Sequence, residues 1–272
     1  MARELMEFYF TQHLPWQPGD DPQRFPGTQC KVLSEDGETA EVTQLCKLPG
    51  QWREAMELDF ELEVYVLDGA MCLNGKHMRR DSYARVPPRE RIKISSDTGA
   101  VMLCWLNAAP TANPDDAGVT FRNVLETPWE TTGIPDGLDY MGIRRKFLNV
   151  EPSTGMVRTF LLFTMPHNFP PGWTCEQETH PCAEEGFMLA GDLAGPHGIM
   201  TTGAYFWRPK GVLHGPYGSR SGSLTLIRFR EGMLHVDWHD ELSFTFDPPF
   251  HPALPPRLME SAGTVYRGQE RF

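Results

Sequence analysis

The sequence predicts an all-β protein of two sandwiches or barrels in tandem. Three observations carry this: 25 glycines and 24 prolines in 272 residues, a series of short apolar runs bounded by turn residues, and an internal repeat. That much Gly and Pro is high for a helical chain and fits many short strands joined by turns.

The runs come in order along the chain: Glu61–Leu67, Ala100–Leu106, Thr159–Thr164, Gly186–Ala190, Ala204–Trp207 and Ser223–Phe229. Each is rich in β-branched or aromatic residues and bounded by Gly, Pro, Asp or Asn, which is the strand signature. Few segments keep a helical period for three turns; the stretch from Pro128 to Gly137 has room for one short turn or helix. Sliding the chain by 122 residues aligns its halves without a gap across residues 49–87. Pro49 falls on Pro171, Gly50 on Gly172, Glu54 on Glu176, Leu67 on Leu189, Gly69 on Gly191, Met78 on Met200, Tyr83 on Tyr205 and Pro87 on Pro209. The matched Gly and Pro positions are those a duplicated β scaffold keeps for backbone reasons. The polar, turn-rich Asn107–Gly118 stretch reads as the connector, which places one domain at 1–118 and the second at 119–272.

Composition removes several function classes. A formal net charge of −11 argues against nucleic-acid binding through bulk charge, which needs a basic face. A hydrophobic fraction of 40% with 22% charged residues is globular rather than disordered. The N-terminal residues mix acids into apolar positions without a signal-peptide core, and no apolar run approaches membrane-helix length. The six cysteines include no Cys-x-x-Cys pair. They read as reduced, mostly buried thiols, and the expected location is the cytoplasm, with no membrane or nucleic-acid partner.

The chemistry lies in the second half. Gly172 to Gly191 reads G-x5-E-x-H-x3-E-x6-G, with Glu178, His180 and Glu184 at the informative positions. Gly203 to His214 reads G-x5-P-x-G-x2-H, with Pro209 and Gly211. These segments resemble the paired motifs of the cupin superfamily. There are two departures: Glu178 stands where the family usually has His, and Gly218 where the second motif ends in Asn. The stretch Tyr205–Pro216 is similar to bacterial two-cupin proteins of the ChrR-like group. The resemblance covers roughly 30–110 and 145–240. It implies tandem cupin jelly-roll barrels (a bicupin) and a metal held by Glu178, His180, Glu184 and His214.

The spacing has a physical basis of its own. Residues i and i+2 of a strand share a face, so Glu178 and His180 both point into a barrel. Pro181-Cys-Ala turns the chain, and Glu184 begins the next strand. The strand bounded by Gly203 and Pro209 delivers His214. Two histidines and a carboxylate form a facial set that leaves open positions on a non-haem metal. The second carboxylate makes the set harder, which favours Mn, Fe or Ni over copper, with Zn also admitted. An alternative placement turns Glu178 outward and completes the shell with water or Cys182. At the same register in the first half stand Met56, Leu58, Leu62 and Ile92, all apolar. The first barrel is therefore expected to be metal-free, filled by side chains and structural.

Other residues carry less. His235, Asp237 and His239 share a strand face, which reads as a solvated face rather than a second metal site. His167 could line the pocket; His77, His197 and His251 sit in turn-rich, exposed surroundings. Alternation turns either Tyr205 and Trp207 or Phe206 and Arg208 into the pocket. Arg208, Lys210, Arg228 and Arg230 are candidates to anchor an anionic substrate.

The resulting expectation is a metal-dependent enzyme with one divalent transition metal (Fe, Mn, Ni or Zn) in the second barrel. Glu178 and His214 are its candidate catalytic residues, and its substrate is a small molecule. An Fe(II)-type dioxygenase acting on a small carbonyl or hydroxylated aromatic compound leads. A Mn- or Zn-dependent lyase, isomerase or hydrolase with Glu178 as base is the alternative, followed by a non-catalytic metal-containing sensor or binding module. The resemblance to two-cupin proteins, many of which pair through their barrel sheets, implies a homodimer, and the chain offers no long charged edge to prevent it.

Overall fold

Runs of β-branched and aromatic residues broken by Gly and Pro fold as antiparallel strands. A computed structural model describes residues 2–19, 25–108, 118–151, 154–232, 234–259, 263 and 271–272. By internal contacts the chain divides into two units, Met1–Arg3 with Pro15–Thr127 and Glu4–Leu14 with Pro128–Phe272. Most of the Asn107–Gly118 connector lies outside the described residues. Strand β1 (Met6–Phe10) belongs to the second unit, where it pairs antiparallel with the strand that ends at Arg208.

The first unit contains β2 (Gln17–Gly19), β3 (Thr28–Glu35), β4 (Val42–Leu48), β5 (Trp52–Glu57), β6 (Glu61–Leu73), β7 (Lys76–Arg79), β8 (Ser82–Val86), β9 (Arg91–Ser96), β10 (Ala100–Asn107) and β11 (Thr120–Asn123). The strand order is β11-β8-β6-β10-β4-β3-β2, with β9 bridging β5 and β6 and β7 folded back on β6. The pairing of β11 with β8 carries this unit beyond the division expected at 118. Leu58, Leu62 and Ile92 are fully buried in its core, and Met56 packs against them. The first barrel's interior is thus closed by apolar side chains at the four positions that carry ionisable groups in the second.

The second unit adds β12 (Arg144–Val150), β13 (Val157–Thr164), β14 (Thr174–Thr179), β15 (Ala183–Gly195), β16 (Gly198–Thr201), β17 (Ala204–Arg208), β18 (Ser223–Arg230) and β19 (Asp237–Ser243). One sheet runs β1-β17-β15-β18-β13-β12 with β16 folded onto β15; β14 and β19 form the other. The fold is the expected jelly roll, and the duplication is visible strand by strand. β5, β6, β7 and β8 have the same bounds as β14, β15, β16 and β17 after a shift of 122 residues. Gly69 and Gly191 show why glycine recurs at the repeat. Their φ values are +71° and +81°, and a Cβ there would strike the carbonyl oxygens of Gly99 and Gly222.

The helical turn expected over 128–137 lies later, as a 3-10 turn over Asp136–Met141. Pro135 has a fixed φ, and its carbonyl accepts from Leu138 N–H at 2.9 Å, so the turn starts there. No helix among the described residues is long and apolar enough to cross a membrane.

Candidate metal centre

The site is built where β14 ends. A bulge between Glu176 and Glu178 shifts the register of β14 against β19. Glu178 then bridges His214 through its backbone, and His180 follows two residues later. Ala183 starts β15 after the Pro181–Cys182 turn, and Glu184 is its second residue. All four side chains line one cavity of about 90 Å³, walled by Leu138, Met141, Ile143, Leu162, Phe206 and Phe229 among others.

Glu178, His180 and His214 each offer a donor atom within 4.8 Å of the others. His180 Nε2 lies 3.9 Å from Glu178 Oε2, and His214 Nε2 lies 3.8 Å from Glu178 Oε1. These separations are too long for hydrogen bonds. They are slightly wider than the roughly 3.0–3.4 Å expected between donors sharing one ion at about 2.1 Å. Each imidazole has its other nitrogen engaged: His180 Nδ1 with His235 O at 2.8 Å and His214 Nδ1 with Val212 O at 2.8 Å. A carbonyl only accepts, so both Nδ1 atoms carry the proton and both Nε2 lone pairs are free toward the cavity. Such backing of a ligating histidine by a carbonyl is the usual support of a metal site. Glu178 Oε2 is buried with no hydrogen-bond partner. An orphaned carboxylate oxygen facing two free imidazole nitrogens fits a divalent cation, and the 2-His-1-carboxylate donor set is the facial type.

Glu184 stands beside this group. Its Oε2 is 3.5 Å from His214 Nε2 and accepts from Arg208 Nη1 at 2.9 Å. Arg208 also donates to Glu7 of β1 at 3.1 Å. The two carboxyls therefore titrate in opposite directions. Burial, reinforced by the Glu184 charge, pushes Glu178 up to about 8. Burial would raise Glu184 too, but Arg208, His214 and His180 outweigh it and hold that carboxyl below its usual range. Burial and the Arg208 charge push His214 down to about 4, so it is neutral near pH 7.

The pleat settles the choice on β17. Phe206 and Arg208 face the cavity. Tyr205 turns the other way and donates to Glu185 at 2.6 Å. Arg228 ion-pairs with that same Glu185 at 2.8 Å and is not in the cavity wall. Lys210 is exposed and Arg230 half-buried, also outside the wall. His167 is not in the wall either; it is held by Tyr140 O and Ser219 N and stacks on Phe169. His235 Nε2 lies 3.4 Å from Asp237 Oδ1 with both side chains exposed, and His239 is exposed as well. His77 and His251 are exposed, whereas His197 is half-buried against His251. Sequence reasoning missed Glu7, Arg145 and Tyr217. The first reaches the site through Arg208, and the other two line the cavity. The sequence carries no signal for them: the acid Glu7 is visible within Met6–Phe10, but the burial of that strand is not.

Residues 123–232 match the family model of the ChrR cupin-like domain. No curated protein matches the chain. Among solved structures, a candidate dioxygenase from Nostoc punctiforme is similar at TM-score 0.72 and 19% identity, over 90% of this chain and 92% of that one. Protein Ylba from E. coli is similar at TM-score 0.59 and 15% identity, over 84% of this chain and 92% of its own. Bacillus subtilis oxalate decarboxylase OxdC is similar at TM-score 0.54 and 10% identity, over 89% and 80%. Motif spacing, barrel fold and family match agree that residues 123–232 form a ChrR cupin-like domain, within a chain whose fold is that of the cupin jelly rolls.

Proposed function

We propose that the second barrel is the active site of a metal-dependent oxidoreductase acting on a small molecule, in the manner of a non-haem Fe(II) dioxygenase. The supporting observation is the pair of imidazole nitrogens and the orphaned Glu178 oxygen gathered in one largely apolar cavity. His180, His214 and Glu178 hold the ion, and Glu184 is the fourth donor while sharing its charge with Arg208. An ion so held supplies open coordination positions and one-electron or Lewis-acid chemistry. The chain's own part is to fix the donors through the His235 and Val212 carbonyls, exclude water with Leu138, Met141 and Phe229, and orient the substrate. Purified without chelator and reloaded with Fe(II) under argon, the protein is expected to consume oxygen with members of a panel of small diketones and phenols. A metal-loaded protein that consumes none overturns the reading.

A second reading has its own support. Glu178 holds its proton up to about pH 8 in a nearly dry site, as a general base or acid does. In that reading the ion is Mn²⁺ or Zn²⁺, and the reaction is a lyase, isomerase or hydrolase step with a proton moving at the Glu178 carboxylate. Turnover of the same panel by Mn-loaded protein without oxygen uptake selects it. Glu178→Gln then retains metal and loses turnover.

A further inference from the structure

Arg145 sits on β12 and lines the cavity, with 7% of its surface exposed. Its Nη2 donates to the carbonyl of Thr132, and its Nε is buried without a partner. The guanidinium stands 5.2 Å from the Phe147 ring and 5.5 Å from the Phe160 ring. Among the described residues it forms no ion pair. The other buried arginines of this unit are matched: Arg208 by Glu7 and Glu184, Arg228 by Glu185.

A guanidinium keeps its charge at any physiological pH, and a buried charge needs a counter-charge. Burial lowers the Arg145 pKa, which is the same desolvation cost seen from the proton's side. Contact with two ring faces returns only part of that cost. Apart from the Glu178, His180, Glu184 and His214 group and the matched Arg208, the cavity therefore holds one unmatched positive charge, set among Leu, Ile, Met and Phe side chains. Its volume of about 90 Å³ admits roughly six to nine water-sized groups.

We infer that Arg145 is the anchor for the acid group of the ligand, and that the ligand is a small, mainly apolar monocarboxylate. Arg145 is a single unmatched guanidinium and so calls for one acid group. The planar fork of Arg suits the two oxygens of a carboxylate. The apolar walls take the hydrocarbon body. This places substrate specificity on Arg145 rather than on the arginines of β17 and β18.

The inference rests on the cavity being the functional site proposed above, so metal content is measured in every sample. Isovalerate with isovaleramide, and benzoate with benzamide, are titrated by calorimetry at pH 7 into Mn-loaded protein. At least one acid should bind tenfold or more tightly than its amide. Arg145→Gln should bring that acid to the level of its amide while metal content and amide affinity stay unchanged. If Arg145→Gln does not fold, Arg145→Lys, which keeps the charge and loses the fork, should lower the preference several-fold. Acid and amide binding alike in the unmodified protein, or a preference that survives at Arg145→Gln or Arg145→Lys, overturns the inference. An Arg145-dependent preference in protein that holds no metal leaves it standing and defeats the metal reading instead. A purely structural role, holding the Thr132 segment, would lower the melting temperature of the variants without changing the acid-to-amide ratio.

Discussion

Glu178 and His214 are joined backbone to backbone, Glu178 N–H donating to His214 O at 2.9 Å and His214 N–H to Glu178 O at 3.0 Å. In the first unit the same cross-strand pair is Met56 opposite Ile92. The duplicated scaffold thus presents one inward pair twice, once as a carboxylate with an imidazole and once as two hydrocarbons. Elemental analysis of protein purified without chelator should give close to one equivalent of divalent transition metal. His214→Ala should lose it, whereas Ile92→Ala should retain it. Two equivalents, or metal surviving in His214→Ala, would contradict the assignment.

Metal that binds only the folded chain stabilises it by about 2.7 kcal/mol at a hundredfold excess over Kd. For a unit of this size that corresponds to roughly 5–10 °C in Tm. Chelation should lower the melting temperature of the second unit by about that amount, and calorimetry with and without chelator measures it. The response should vanish in His180→Ala. In Ile92→Ala it should persist on a lowered baseline, because a buried Ile truncated to Ala costs about 2–5 kcal/mol.

The repeat was legible because the strands that carry it needed no gap. β5 to β8 and β14 to β17 share bounds at one offset, and Gly69 and Gly191 meet the same carbonyl obstacle. Glu178, His180, Glu184 and His214 were legible as a set through the resemblance of their spacing to the paired cupin motifs, and strand alternation adds only that Glu178 and His180 share a face. Alternation does not say which face is inward, so Arg208 and Tyr205 stayed exchangeable until β17 was seen against β15 and β1. Glu7 and Arg145 lie well before the motifs in sequence, and no local pattern ties them to the site. The N-terminal strand was equally silent: nothing in Met6–Phe10 indicates that it pairs with Ala204–Arg208. Long-range pairing of this kind is decided by packing rather than by local preference.

Arg208 is fully enclosed between Glu7 at 3.1 Å and Glu184 at 2.9 Å, with its guanidinium 4.1 Å from the Phe206 ring centroid. Removing the charge leaves two buried carboxylates unmatched. Arg208→Met should therefore destabilise the protein by about 3–5 kcal/mol in urea unfolding, the usual cost of breaking a buried pair from one side. Glu7→Gln, which leaves the Arg208–Glu184 arm in place, should cost less and keep the metal. A loss below about 1 kcal/mol for Arg208→Met would show that the ion-pair chain is not supporting the site.

The last prediction concerns the metal-free protein above pH 6.5. Its Glu178 carboxyl is pushed up to about 8 by burial and by Glu184, whereas an unfolded glutamate titrates near 4.5. The folded state therefore holds a proton that the unfolded state has released. The associated stability is complete below the unfolded value and is lost as pH rises toward about 8. His214 is depressed to about 4, so its contribution is already complete above the ordinary histidine range and adds no slope there. Between pH 6.5 and 8 the metal-free protein should lose up to about 1.4 kcal/mol of stability per pH unit relative to Glu178→Gln, and the difference should level off above pH 8. Metal reverses the sign, because it needs the carboxylate. Adding Mn²⁺ at pH 7 should release close to one proton per ion bound, read as a calorimetric heat that varies with the ionisation enthalpy of the buffer. Glu178→Gln should release none. Equal pH slopes in the two metal-free proteins would place the Glu178 carboxylate in contact with water, and a buffer-independent heat would remove it from the set of ligands.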